Sequence, residues 1–254
     1  MSDTPESPEL QGKPPRQPII MLPLVIIVLG GLMLAIEAVQ SFFLNEQAQT
    51  FLASWFGFPS IGLIATGEIP GGFWSLLWTP LTYDFLHAGW EHVLGNVVWL
   101  VVFGTPVARR YGAWRTLVIF FASSIIGALA FGITDVGTIA ILIGASGGIA
   151  GVTGAAMRFI FQPVIVGRHP ETGEPVALGR KMATVPELLR SPPARIFILV
   201  WVVLNCLVPL LPLFLGEDVQ IAWQAHLGGF FTGLFLVPFF EPGHGKPEPA
   251  VVDG

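Results

Sequence analysis

Long apolar runs alternate with short polar segments along the chain. Six of the runs approach the roughly 20 residues that a helix needs to cross a bilayer. They are Pro18–Ile36, His92–Ala108, Thr116–Thr134, Val136–Met157, Ile196–Gly216 and Val219–Phe240. The second and sixth each carry one histidine, His92 and His226, and the other four are uncharged. Runs of this length predict helices. The fourth is rich in glycine, a poor helix former, so its helix is expected to begin near Gly144 after a tight loop from Asp135. Gln47–Gly67 is also uncharged but holds Gln47, Gln49, Thr50, Ser54, Pro59 and Ser60. It reads as an interfacial or partly inserted segment within the connection 38–90.

Composition strengthens the membrane reading. Of 254 residues, 53% are hydrophobic and 11% charged, against about 25% charged in soluble domains. Too little polar surface is present to cover a globule in water, so the fold class is an all-α polytopic membrane protein with six transmembrane helices. The net charge of −5 gives no nucleic-acid footprint. The single cysteine, Cys206, excludes an internal disulfide and a cysteine-rich metal site, and its apolar neighbours predict burial.

Charge placement sets the orientation. With six spans, all twelve Lys and Arg residues fall on the side of the N-terminus, and the segments 38–90, 135–143 and 217–221 hold none. A seventh span at 47–67 would move Arg109, Arg110 and Arg115 to the opposite side. The positive-inside rule therefore places the N-terminus, the 163–192 loop and the C-terminus in the cytoplasm. The first run has too long an apolar core, and no A-x-A site follows it, for a signal peptide. The expected organisation is a disordered tail at 1–17, a membrane domain at 18–240 and a second tail at 241–254. The 163–192 loop is expected to carry a short surface helix.

Ionisable groups inside a membrane are costly and are functional candidates by default. His87, His92 and His226 qualify; His169 and His244 lie in polar segments. The second, fourth and sixth spans all run inward. His92, Asn96, Ser146 and His226 then share one depth on the non-cytoplasmic side. His92 and Asn96, four apart, leave one helix face together. Gly147, Gly151 and Ala155 form a small-residue stripe on the fourth span, and Ala225, Gly229 and Gly233 form another on the sixth. Such stripes let helix backbones approach closely. Ser146 adjoins one stripe and His226 the other, so close packing brings a hydroxyl and an imidazole together, as acyl transfer requires. The competing readings are a serine that merely packs, a histidine that merely bonds between helices, and a His92–Asn96 structural clamp. His87, in "YDFLHAGWEH", reads as a loop organiser. The three histidines could in principle hold zinc, but no H-E-x-x-H motif is present, and no metal or other cofactor is expected. A small transporter would more readily show broken helices with midplane charges.

The chain resembles the rhomboid family of intramembrane serine proteases. The resemblance rests on "WTPLTYDFLHAGWEHVLGNVVWL" (78–100), "FGTPVARRYGAWR" (103–115), "GASGGIAGVTGA" (144–155) and "AHLGGFFTG" (225–233), and covers roughly residues 70–240. It implies a rhomboid-like six-helix bundle with a partly inserted loop between the first two helices. It also implies a Ser–His dyad, with Ser146 as nucleophile and His226 as general base, and an oxyanion site from His92, Asn96 and the Ser146 N–H. Substrates would be transmembrane proteins cut within the lipid bilayer, near small residues in helix-destabilised segments. The expected location is a bacterial cytoplasmic membrane. The runner-up is a non-catalytic binder or chaperone of the same fold. Two positions depart from the family pattern. Thr79 follows Trp78 where many relatives carry arginine. Ala150 stands four residues after Ser146, where some relatives stack an aromatic on the dyad histidine. His226 must then be oriented by something else or be less rigidly held.

Overall fold

A computed structural model describes residues 22–134, 139–168, 172–173, 175–207 and 222–241. Each of the six apolar runs contains a helix. The first, α1 (Leu24–Phe43), starts directly after Pro23, a residue whose fixed φ suits a helix start and which cannot sit further in. It buries Val25, Ile26, Leu29 and Met33, and continues that inward stripe with Glu37 and Gln40. Ser41 donates to the Glu37 carboxylate at 2.9 Å. Its outward face shows Leu24, Ile27, Val28 and Phe42. Polar groups inside and large apolar groups outside suit lipid as the surrounding solvent.

The connection to the next long helix is built from short pieces. α2 (Glu46–Phe56) is capped by Asn45, whose side chain accepts from the Ala48 N–H. A two-residue strand, β1 (Phe58–Pro59), pairs antiparallel with β2 (Ile141–Leu142). α3 (Ile61–Thr66) follows with Ser60 as its cap. A 3₁₀ turn (Gly72–Leu77), α4 (Thr79–Thr82) and a second 3₁₀ turn (Tyr83–Phe85) complete it. The Trp78 indole donates to the Trp55 carbonyl at 2.8 Å, and Thr82 Oγ1 donates to the Phe56 carbonyl at 2.7 Å. These two bonds tie the segment together on either side of Thr79. Phe73, Trp74 and Leu77 are more than two-thirds exposed, an amphipathic arrangement suited to a membrane interface.

α5 (Trp90–Trp99) passes through a π turn (Leu100–Gly104) into α6 (Thr105–Thr134). Gly112, at φ 79° and ψ 172°, interrupts α6. A positive φ is accessible to glycine at little cost, so Thr105–Thr134 is two helices meeting at a kink. Among the described residues, Leu24–Phe43 and the Trp90–Thr134 run are long and apolar enough to cross a membrane. α7 (Ser146–Met157), α9 (Pro192–Leu207) and α10 (Trp223–Leu236) are shorter. The second half of the fifth apolar run and the first residues of the sixth lie outside the described residues. So do residues 1–21 and 242–254, which take in the expected tails except Glu241, and Asp135, His169, Asp218 and His244.

The structure fills in or corrects the expected picture at several points. α7 begins at Ser146, two residues beyond Gly144, and its approach carries β2. The 163–192 loop holds the surface helix α8 (Val185–Arg190), with a full capping box between Thr184 and Glu187. It also holds an unforeseen hairpin of β3 (Val164–Arg168) and β4 (Pro175–Arg180). Cys206 is exposed, not buried as its apolar neighbours suggested. Val203, Leu204 and Leu207 are exposed beside it, because in a lipid-facing helix apolar neighbours mark the outside.

The core forms where α7 packs between α6 and α10. Every residue of α7 after Ser146 is buried. A Cβ built on Gly229 would overlap the Gly147 carbonyl, one on Gly233 the Gly151 carbonyl, and one on Gly154 the Phe230 carbonyl. The two glycine stripes are therefore in backbone-to-backbone contact, with Ala155 and Ala225 buried at their ends. Because the obstructing atoms are main chain, no rotamer change can relieve an added side chain. Gly233→Ala should lower Tm sharply, with a destabilisation at or above the roughly 1–3 kcal/mol of ordinary overpacking. Gly31→Ala, with nothing within 4 Å of its added Cβ, should leave Tm unchanged or slightly raised. Thermal unfolding of both variants in one detergent checks the pair.

Charged side chains gather at the bundle end opposite the start of α7. Arg110 forms an ion pair with Glu241, and Tyr111 donates to the same carboxylate at 2.8 Å. Arg158, at the end of α7, donates to the carbonyls of Ala183 (2.7 Å) and Leu234 (2.9 Å).

Candidate active site

Ser146, His92 and His226 all sit in the first turn or so of their helices, α7, α5 and α10, and so meet at one end of the bundle. Gly144 makes the approach possible. It adopts φ +111°, and a Cβ there would come within 2.7 Å of His92 Nε2. Its N–H donates to the Tyr83 carbonyl at 2.9 Å, fastening the turn before Ser146 to the loop before α5. Tyr83 is fully buried and donates to the Ser124 carbonyl at 2.9 Å. Ser124 in turn donates to Asp84 at 2.9 Å.

The first main-chain bond of α7 runs from the Ile149 N–H to the Ala145 carbonyl at 3.0 Å. The N–H groups of Ser146, Gly147 and Gly148 thus have no acceptor within the helix. They point out of its positive end, where negative charge is favoured.

His226 Nε2 lies 2.7 Å from Ser146 Oγ. The close contact of the glycine stripes sets this distance, since Gly229 and Gly147 bring α10 and α7 together one residue from Ser146 and three from His226. His92 and Asn96 both lie over Gly144: the Asn96 Nδ2 is 3.7 Å from the position of its missing Cβ. His92 Nδ1 accepts the Ala88 N–H at 3.3 Å. In a neutral imidazole the proton then sits on Nε2, the nitrogen facing Gly144. Asn96 is 7% exposed, and its Nδ2 has no partner among the described residues. Two N–H donors are thus presented beside the start of α7. His87 is buried, with its ring edge-on to His92 at 5.0 Å between centroids. It lies away from the Ser146–His226 contact.

A cavity of about 190 Å³ opens over these groups, lined by Asn96, Ser146, His226, Trp99, Ala150 and Trp201 among others. Asn205 also lines it, and its Oδ1 lies 2.6 Å from His226 Nδ1. Sequence reasoning missed this residue. Like Asn96 it is an amide within an apolar run, but it lacks a second polar candidate four residues away to mark it. Among the described residues no group of three His, Cys, Asp or Glu side chains is placed to hold a metal ion.

The family model for the Rhomboid domain matches residues 75–242, more than half of the chain and all the residues of this site. The chain is 37% identical over 113 residues to the rhomboid protease GluP of Bacillus subtilis, covering 44% of this chain and 20% of that protein. It is 37% identical over 84 residues to the human Rhomboid-related protein 3, covering 33% of this chain and 20% of the relative. It is 24% identical over 177 residues to the RHOMBOID-like protein 5 of Arabidopsis thaliana, covering 69% and 48% respectively. The chain thus spans between a fifth and about half of the length of these curated relatives. The apolar outer surfaces of α1, α9 and α10, the buried polar stripe of α1 and the matched domain agree, and the chain is a membrane protein belonging to the rhomboid family.

Proposed function

We propose that the chain is an intramembrane serine protease that cleaves transmembrane segments of other membrane proteins, with Ser146 as nucleophile and His226 as general base. The observation that carries this reading is the 2.7 Å contact between His226 Nε2 and Ser146 Oγ at the open end of α7. A serine hydroxyl is a poor nucleophile until a base takes its proton, and a neutral imidazole does so near pH 7. The Oγ–H proton passes to Nε2 as Oγ adds to the scissile carbonyl carbon. The carbonyl oxygen becomes an oxyanion, which the Ser146 N–H, His92 Nε2–H and Asn96 Nδ2–H stabilise. The imidazolium then protonates the departing amine, leaving an ester on Ser146. Water attacks that ester with His226 again as base, and the serine is regenerated. No metal or cofactor takes part.

The same reading assigns six spans to 18–240. The site faces the non-cytoplasmic side, and both termini and the 163–192 loop face the cytoplasm of a bacterial cell. The gathering of Arg110, Arg158 and Arg180 at the end remote from Ser146 supports that orientation. Exposed Phe73, Trp74 and Leu77 support partial insertion of the first connection.

The test is cleavage of a reporter transmembrane substrate by the purified chain in proteoliposomes. Cleavage by the wild type and none by Ser146→Ala is the expected result. A folded wild type that captures the reporter and leaves it intact would make the chain a rhomboid-like binder or chaperone instead.

A further inference from the structure

We propose that Asn205 is the positioning residue of this site, holding the His226 imidazole in the tautomer and orientation that face Ser146. The inference rests on the reading of Ser146 and His226 as nucleophile and base, and names the group that makes the base competent.

The hydrogen-bond chain fixes the argument. Asn205 Nδ2 donates to the Trp201 carbonyl at 2.8 Å. Its NH₂ end is therefore spent on α9 itself, and its oxygen end faces His226 Nδ1 at 2.6 Å. A flipped amide would set oxygen against the Trp201 carbonyl and NH₂ against Nδ1, losing the first bond outright. An amide oxygen can only accept, so Nδ1 must carry the proton. In the neutral ring Nε2 is then bare, and it faces Ser146 Oγ at 2.7 Å. The sequence Trp201 carbonyl, Asn205, His226, Ser146 thus runs in one direction only.

Packing holds Asn205 in place. Trp201 and Asn205 are four apart on α9, and His226 and Phe230 are four apart on α10, so each pair leaves one helix face. Trp201 stacks on Phe230 at 4.5 Å between centroids with 23° between planes. Asn205 meets His226 one turn away. Trp201 is 8% exposed and Phe230 fully buried, so the stacked pair fixes how α9 presents its next turn. Ala150, which also lines the cavity, has no ring to offer the imidazole. Among the described residues the hydrogen bonds of the imidazole go to Ser146 and Asn205, and no carboxylate shares them.

Full-length wild type, Asn205→Leu and Asn205→Asp in proteoliposomes provide the test. Steady-state kinetics on the reporter substrate are measured together with the rate of Ser146 labelling by a fluorophosphonate. Asn205→Leu should lower kcat about 10²-fold, the loss typical of a misplaced catalytic group, with KM within about twofold. Labelling should slow in parallel. Asn205→Asp keeps an acceptor at Nδ1 and should recover kcat to within about tenfold of wild type. A role in packing alone predicts the opposite order, because leucine preserves volume and removes the polar group. Asn205→Leu with wild-type kcat and labelling overturns the inference. So does a folded Asn205→Asp no faster than Asn205→Leu. If Asn205→Leu does not fold, Asn205→Ala takes its place under the same criteria. A folded wild type that neither cleaves nor labels overturns the protease reading, and this inference with it. An active wild type beside an unimpaired Asn205→Leu overturns this inference alone.

Discussion

A fluorophosphonate should label Ser146 covalently, and His226→Ala should slow that labelling by about 10⁴–10⁶-fold, the scale on which nucleophile–base pairs fail when one member is removed. The geometry asks for a loss this large. With Nε2 at 2.7 Å from Oγ, the imidazole is placed to take the hydroxyl proton as the bond to phosphorus forms. Without it, the proton must leave to water in a half-buried recess. Ser146→Ala should abolish labelling entirely. Mass spectrometry of the intact chain reads wild type and both variants. Equal labelling of wild type and His226→Ala would show that the imidazole does not activate this serine. Ser146 would then be an ordinary packing serine in a glycine-rich helix.

Asn96→Ala should lower kcat about 10²–10³-fold, the loss seen when one oxyanion donor is removed, with a smaller change in KM. His92→Ala should behave similarly. Charge develops on the carbonyl oxygen only as Ser146 attacks, so donors aimed at that point lower the barrier without tightening ground-state binding. Three observations motivate the expectation. The Asn96 Nδ2 is buried and has no partner among the described residues. His92 receives the Ala88 N–H on Nδ1, which leaves its proton on Nε2. Both nitrogens lie over Gly144, two residues before the nucleophile. The double variant should lose less than the sum of the single losses, because groups that act as a unit are not additive. Both singles should retain fluorophosphonate reactivity at Ser146. A lower Tm with unchanged turnover in the folded fraction would instead make His92 and Asn96 a clamp between helices. Measuring Tm and kcat on the same preparations separates the outcomes.

The sequence carried the large elements because long apolar runs leave little choice of structure. The start of α7 was approached from the glycine-rich stretch, which pointed to Gly144, and the helix begins two residues later at Ser146. The glycine stripes could be seen because small residues every four positions make a face only in a helix. Three features escaped for physical reasons. β1 and β2 are two residues each and join positions 58–59 to 141–142, a non-local pairing that no local pattern announces. The β3–β4 hairpin has only the Val-Ile-Val of residues 164–166 as a strand signal, amid Gly, Pro and charged positions. Asn205 carries no spacing signal: no second polar side chain lies four residues from it, as His92 does from Asn96, and no small-residue stripe adjoins it, as one adjoins Ser146. Cys206 departs from expectation for a different reason. Burial among apolar neighbours is a rule for water-soluble cores, and on a helix facing lipid it reverses.

α7 is 12 residues long, about 18 Å at 1.5 Å per residue, while the hydrocarbon core of a bilayer measures about 30 Å. If α7 is one of the six proposed spans, it is too short to cover that distance alone, and β2 and the Gly144 turn precede it on the Ser146 side. Irregular backbone at such depth persists only where protein covers it or water reaches it. On the protease reading, Ser146 would then stand below the membrane surface, and the water that releases the acyl group would have to reach it through the cavity beside α7. Bilayer thickness then becomes a kinetic variable. On that reading a thicker membrane should lengthen the path to Ser146, so the lipid around the protein should take part in setting how fast the acyl group is released.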